Sequence, residues 1–405
     1  MPHETELITT IAIGLVAAFF GGVIAVRIRL PAIIGYLVGG MAVGPFTPGF
    51  VADGGLANQL AEIGVILLMF GVGLHFSPGD LYAVRGIAIP GAVGQISVAT
   101  LLGIGVSQLW GWSLGSGLVL GLALSVASTV VLLRALEERK AVQTPEGGVA
   151  VGWLLVEDLV MVVALVMLPI LAGPLGGIAQ SDGDDPLAVS LGITLGKVAL
   201  FAVIMLVVGS RVIPWEFRRV AALGSRELFT LATLATALGI AYVGYEFFEV
   251  SFALGAFIGG LVVGQSEVGH RAGERITPLS DTFAILFFVS VGMLIDPRFF
   301  IESPGRVLIV VAIIVVGKTL AALGIVLLLK GSLRTALTTA AALSQIGEFS
   351  FILASLGLSL ELLPMEGYNL VLAGALASIA LNPLMFRLID PLEAKWSRKE
   401  LSPTT

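Results

Sequence analysis

The chain contains no cysteine among its 405 residues. That excludes disulfides, thiolate metal sites and cysteine nucleophiles. Histidine is almost as scarce. His3, His75 and His270 are scattered along the chain, so no histidine cluster points to zinc or haem. Charge is the third shortage. Asp, Glu, Lys and Arg make up 12% of the residues, where a soluble domain carries about 25%. With 57% hydrophobic residues and a mean hydropathy of +1.02, the composition is that of an all-α polytopic membrane protein. Its first partner is therefore a lipid bilayer; no basic domain calls for nucleic acid. The amino-terminal Met-Pro-His-Glu-Thr-Glu lacks the basic region of a cleavable signal, so the first span is expected to stay in the membrane.

A membrane span needs about 20 mostly apolar residues. The sequence predicts thirteen: about 6–27, 31–46, 56–76, 84–109, 115–137, 146–172, 187–210, 226–247, 249–266, 278–298, 305–329, 333–358 and 365–389. The second and ninth are short. With the N-terminus outside, 18 of the 22 Lys and Arg fall in inside loops or the C-terminal tail. Only Arg298 and Arg306 lie outside, while Lys197 and Lys318 fall within spans. This bias predicts an N-out, C-in topology.

The chain also repeats itself. GYLVGGMAVG at 35–44 matches GAFIGGLVVG at 255–264, and LAEIGVILLMFGVGLHFSP at 60–78 matches LSDTFAILFFVSVGMLIDP at 279–297. Nearly the same offset pairs Leu124-Ser125 with Leu343-Ser344 and Pro145 with Pro364. Seven spans separate the copies, so they have opposite orientation. Inverted repeats over about 6–172 and 226–390, joined by a linker helix at about 187–210, are the signature of a secondary transporter with a midplane site, not of an enzyme. The shared glycines are expected to let helices approach closely.

Against this apolar background a few polar residues stand out. Glu157 and Asp158 are the only charged residues between Glu146 and Asp182. At the bilayer centre an ionised Asp costs roughly 2.5–3.5 kcal/mol, so the pair is read as an ion or proton site. A structural tie between two helices is the plainer alternative. Span 5 carries Ser125, Ser128 and Thr129, and span 12 carries Ser344, Gln345, Gly347, Glu348 and Ser350, at corresponding places in the repeats. These stretches are where helices can unwind and present backbone groups to an ion. Alternatively the hydroxyls bond back to their own helices and nothing unwinds. Lys318 in mid-span 11 needs a carboxylate, for which Glu157 or Asp158 is the evident partner. Lys197 is expected to snorkel. Glu348 is either a second proton site or a partner for free backbone N–H groups. Glu62 and Asp281 are expected to be structural or vestibule-lining, and His75 a surface residue.

LLMFGVGLHFSPGDL (67–81), STVVLLRALEERK (128–140), GWLLVEDLVMVV (152–163), ELFTLATLATALGIA (227–241), SFALGAFIGGLVVGQSE (251–267), FFVSVGMLIDP (287–297) and SQIGEFSFILA (344–354) resemble the Kef-type branch of the monovalent cation:proton antiporter superfamily. The Glu-Asp pair and the GSRELFTL segment are most similar to the YbaL subgroup. The resemblance covers essentially the whole chain. It implies a NapA/NhaA-like fold of thirteen helices with two crossed broken helices, a homodimer, and a core that moves against a dimerisation domain. Spans 1 to 3 or 8 to 10 would supply most of the latter.

By the same resemblance Asp158 matches the ion-binding aspartate. Glu157 stands where typical Kef proteins have Gln and the NapA type has Asp. Lys318 matches the lysine that pairs with the first acid in the NapA type. Thr129 lies in the first crossover, and Gln345 to Glu348 in the second. The implied activity is exchange of a monovalent cation, K+ before Na+, for protons in a bacterial inner membrane. Asp158 would take either ion, Ser128 and Thr129 would complete its oxygen shell, and Ser125, Lys318, Gln345 and Glu348 would support it. No cofactor is implied. Glu157 in place of Gln leaves electroneutral and electrogenic exchange both open. A channel-like K+ efflux path and a cation-coupled exporter of an organic solute are the other readings. The whole chain is read as one transmembrane domain over 1–405, with no counterpart of the nucleotide-binding domain into which many Kef-like proteins continue; it is either naturally short or a membrane portion.

Overall fold

Long apolar runs punctuated by serine, glycine and proline leave one way to satisfy the backbone in lipid, and the chain takes it. In the computed structural model, which describes residues 3–47, 54–75, 78–142, 144–178, 187–248, 250–266 and 269–400, every regular element among the described residues is helical. In chain order these are α1 (His3–Arg27), α2 (Ala32–Ala42), α3 (Gly54–His75), α4 (Pro78–Leu109), α5 (Leu114–Ser125), α6 (Thr129–Glu138), α7 (Pro145–Leu171) and α8 (Leu187–Ile204). There follow α9 (Ser210–Ala222), α10 (Arg226–Phe248), α11 (Phe252–Gly264), α12 (Gly269–Met293), α13 (Phe299–Glu302), α14 (Pro304–Ala312) and α15 (Lys318–Leu328). The last four are α16 (Leu333–Ala342), α17 (Glu348–Ser359), α18 (Met365–Arg387) and α19 (Ile389–Glu400). Wider π turns at Met205–Gly209 and Ile313–Gly317 join α8 to α9 and α14 to α15. Among the described residues, eight helical stretches are long and apolar enough to cross a membrane, and five shorter apolar helices accompany them.

The ends of these helices follow local chemistry. Ser113, Ser128, Ser251 and Ser332 cap α5, α6, α11 and α16, each hydroxyl accepting from the N–H three residues on. Four helices end in a left-handed residue: Arg29, Lys140, Lys330 and Glu361. In each, the next N–H reaches back to close the last turn, as Leu30 N to Ala25 O at 2.8 Å and Gly331 N to Val326 O at 2.9 Å. Three of the four are basic, which suits the negative end of the helix dipole.

The chain divides into two compact units. The first takes Met1–Phe76, Leu165–Ile170 and Gln180–Pro297; the second takes Ser77–Ala164, Leu171–Ala179 and Arg298–Thr405. In the first unit α3 packs on α11 and α12, and α2 on α1 and α12. The contacts are backbone against backbone. A Cβ on Gly260 would strike the Phe70 carbonyl, one on Gly73 the Phe257 carbonyl, and one on Gly40 the Val289 carbonyl. The glycines picked out by the repeat are therefore packing residues, Gly35, Gly39 and Gly44 included. On α1 the side chains of Phe19, Phe20 and Ile24 are about 60% exposed. In water such a stripe would be an aggregation surface; against lipid tails it is neutral.

The second unit is built around four half-length helices. α5 and α6 are the two parts of span 5, and α16 and α17 the two parts of span 12. A core of small and aliphatic side chains around Trp153, from Ala88 and Ala92 to Ala340–Leu343 and Phe386, packs α6 and α16 against α4, α7, α15 and α18, while α5 packs on α4 and α17 on α5 and α18. Between the halves of each broken helix lies the site.

Candidate functional site

The first break covers Val126, Ala127 and Ser128. Val126 and Ser128 are extended, with ψ of 131° and 124°. An interrupted helix in lipid leaves carbonyls and N–H groups that no water reaches, so each must find a protein partner. Here they do. Gln95 Nε2 donates to Ser125 O at 3.0 Å. Val126 O accepts from Gly347 N at 3.2 Å. Ala127 N donates to Glu157 Oε2 at 2.9 Å. Ser128 N donates to Gln345 Oε1 at 3.0 Å, while Gln345 Nε2 returns a bond to Ser128 O at 3.2 Å.

The second break runs from Leu343 to Gly347. Asn382 Nδ2 donates to Ala341 O at 2.8 Å and to Ser344 Oγ at 3.0 Å. Lys318 Nζ donates to Gln345 O at 2.9 Å. Gly347 brings the two breaks together, because a Cβ there would sit 2.5 Å from Ser128 Cα. The two unwound segments thus satisfy one another.

The acids lie on α7. Adjacent helical residues point about 100° apart, and the two carboxylates separate accordingly. Glu157, fully buried, anchors the first break through Ala127 N. Asp158, 3% exposed, accepts a hydrogen bond from Thr129 Oγ1 at 3.3 Å through Oδ2. Among the described residues its buried Oδ1 has no hydrogen-bond partner, nor has Oε1 of Glu157. Glu348, the first residue of α17, accepts from Ser128 Oγ at 3.1 Å. It and Glu157 are the negative charges that Asp158 feels.

Lys318 is fully buried, as its place in mid-span suggests. Its charge acts on Glu157, but its hydrogen bond goes to the Gln345 carbonyl, and it makes no hydrogen bond with either acid of α7. The break supplies the carbonyl: with the helix interrupted, Gln345 O takes one of the three ammonium donors. The hydroxyls divide as well. Ser125 Oγ bonds back to Leu122 O at 2.7 Å, Ser128 Oγ turns to Glu348, and Thr129 alone meets Asp158. Lys197, Glu62 and Asp281 belong to the first unit, away from these residues in the chain's division. The side chain of His75 lies outside the described residues.

Two supports were not anticipated from sequence, Gln95 and Asn382. Each is a fully buried amide in an otherwise apolar helix, and that loneliness is the signal that could have found them. Three carboxylates against one ammonium leave the site short of positive charge. Among the described residues no three acidic or histidine side chains are close enough to chelate one metal ion jointly. What the arrangement can accept is a small cation at one carboxylate: a proton, or an ion that shares Asp158 with the oxygens around it.

Comparison with known proteins bears on the same residues. The family model described as "Sodium/hydrogen exchanger, transmembrane" matches residues 15–389. YbaL of Escherichia coli, named as a candidate cation/proton antiporter, is 59% identical over 396 residues, spanning 98% of this chain and 70% of that one. K(+) efflux antiporter 4 of Arabidopsis thaliana is 32% identical over 388 residues, 95% of this chain and 64% of that protein. The solved structure of the sodium proton antiporter MjNhaP1 from Methanocaldococcus jannaschii at pH 8 superposes with a TM-score of 0.69 at 18% identity, over 95% of this chain and 98% of that one. At that identity the likeness speaks to the fold.

Proposed function

Because the chain belongs to the transmembrane sodium/hydrogen exchanger family, in which its relatives are cation/proton antiporters, we propose that it exchanges K+ for protons at Asp158, with Na+ the next candidate ion. One observation carries the reading. Asp158 is a buried carboxylate with one oxygen held by Thr129 and the other, among the described residues, without a hydrogen-bond partner. Lys318 makes its hydrogen bond to the Gln345 carbonyl, and its charge acts on Glu157. A proton and a dehydrated alkali ion then compete for one negative charge, and competition at a single site is sufficient for exchange. Thr129 Oγ1 supplies a neutral oxygen beside Asp158. Ser128, Ser125, Gln345 and Glu348 hold the two breaks in register around it.

Glu157 and Lys318 each have a backbone partner in opposite breaks, which favours their staying in place while Asp158 cycles. Exchange is then one cation for one proton and electroneutral. The rest of the reading is thirteen spans in an N-out, C-in arrangement, inverted repeats over 6–172 and 226–390 with 187–210 as linker, alternating access by movement of the second unit, a homodimer, and the bacterial inner membrane as location. The preference for K+ leans on the K(+) efflux antiporters among the relatives.

The test uses proteoliposomes with an imposed pH gradient and an internal pH dye. Adding K+ or Na+ collapses the gradient in wild type and leaves it intact in Asp158→Asn, whose folding is checked by its melting temperature. Retained exchange in that variant would refute the site. Dependence of the rate on a valinomycin-clamped potential would overturn the electroneutral stoichiometry.

A further inference from the structure

Away from the acid pair, the first unit carries a cavity of about 280 Å³ lined by Arg226, Arg271 and Arg275, with Ser225, Phe229 and Glu274 completing its wall. It forms where the α9–α10 connection meets the start of α12. Arginine at a membrane surface needs no special account, since inside loops are rich in it. Convergence does. Two connections about 45 residues apart in sequence deliver three guanidinium groups to one concavity, and a single carboxylate, Glu274, faces them there. Arg226, Arg271 and Arg275 form no ion pair among the described residues.

The surroundings say what kind of anion fits. Next in sequence to lining residues, Leu223 and Leu228 are 69% and 44% exposed. On α9 the half-exposed Trp215 carries the Arg219 guanidinium 4.6 Å above its ring. Aromatic, arginine and bare leucine side by side mark the level where hydrocarbon gives way to headgroups. A ligand here meets guanidinium at one end and apolar surface at the other. We infer that this cavity binds the phosphate headgroup of an anionic phospholipid, with Arg226, Arg271 and Arg275 on the phosphate and the acyl chains lying along Leu223 and Leu228. Forked guanidinium donors suit phosphate oxygens, and Ser225 Oγ, which caps α10 through Leu228 N, leaves the α10 N-terminus facing the same space. The inference is independent of which ion is exchanged at Asp158.

The full chain, purified in a zwitterionic detergent, is titrated with fluorescent phosphatidylglycerol and with fluorescent phosphatidylcholine. Wild type binds the anionic lipid more tightly. Replacing all three arginines by glutamine weakens phosphatidylglycerol by roughly a hundredfold and leaves phosphatidylcholine unchanged. The matching lysine triple variant restores most of the affinity, and the single change Arg271→Gln, roughly tenfold weaker, serves if the triple variant does not fold. Equal affinity for the two lipids, or an unchanged affinity in Arg271→Gln, overturns the site. Displacement of the lipid by millimolar inorganic phosphate would reassign it to a soluble phosphate and overturn the lipid.

Discussion

At the scale of single residues, Gln345 is the most informative side chain in the site. Its amide oxygen accepts from Ser128 N, and its Nε2 donates to Ser128 O and to Ala342 O. Gln345 is therefore a detachable peptide group, standing in for the neighbouring turn that the broken helix gave up. Gln345→Leu keeps the volume and strands Ser128 N where water is absent, while Ser128 O keeps its bond from Leu132 N. At about 1–3 kcal/mol for an unsatisfied buried group, the loss is read as a lower melting temperature in detergent together with faster amide exchange at Ser128. Gln345→Glu keeps the acceptor and falls between. A leucine variant that melts with wild type would mean that Ser128 has another partner. The same reasoning explains Lys318. A sequence shows a lysine and two acids in one apolar neighbourhood, and charge alone pairs them; it does not show that a carbonyl has been set free in between.

Elements tell how much could be read in advance. The breaks at Ser125–Thr129 and Ser344–Glu348 were legible because hydroxyl, amide and glycine residues gather there against an apolar background. The acid pair was legible because lipid makes charge conspicuous. What satisfies the breaks was not, because Gln95 and Asn382 come from helices that no local pattern connects to them. Helix packing was legible in kind, through glycines, and its partners follow from the fold. Gly260 of α11 meets the Phe70 carbonyl, whereas Gly239 of α10 has no atom within 4 Å of where a Cβ would be. Gly260→Val has nowhere to push, because its obstacle is backbone; overpacking of this kind costs about 1–3 kcal/mol or more. Gly239→Val is expected to be tolerated. Size-exclusion profiles of the two proteins should part, with the α11 variant aggregated and the α10 variant monodisperse. Two similar profiles would mean that α3 and α11 can separate freely.

For the whole molecule, the sequence's missing cysteine becomes a tool. Any thiol introduced is the only one present, so sidedness can be read without first stripping the chain. With the N-terminus outside, Glu302→Cys is reached by a membrane-impermeant thiol reagent in intact cells. Glu137→Cys, at the last turn of α6, is labelled only after permeabilisation. The opposite pattern would invert the proposed topology, and labelling of both in intact cells would break the span count. The bond between Ser128 and Gln345 also sets a timetable. Its partners are 217 residues apart in the chain, and synthesis at about 5–20 residues per second separates their appearance by roughly 10–40 s. Through that interval α5 and α6 have been made but the amide that completes their break has not. A chain ending before Gln345 is therefore expected to leave Ser128 N without its partner in an apolar surrounding.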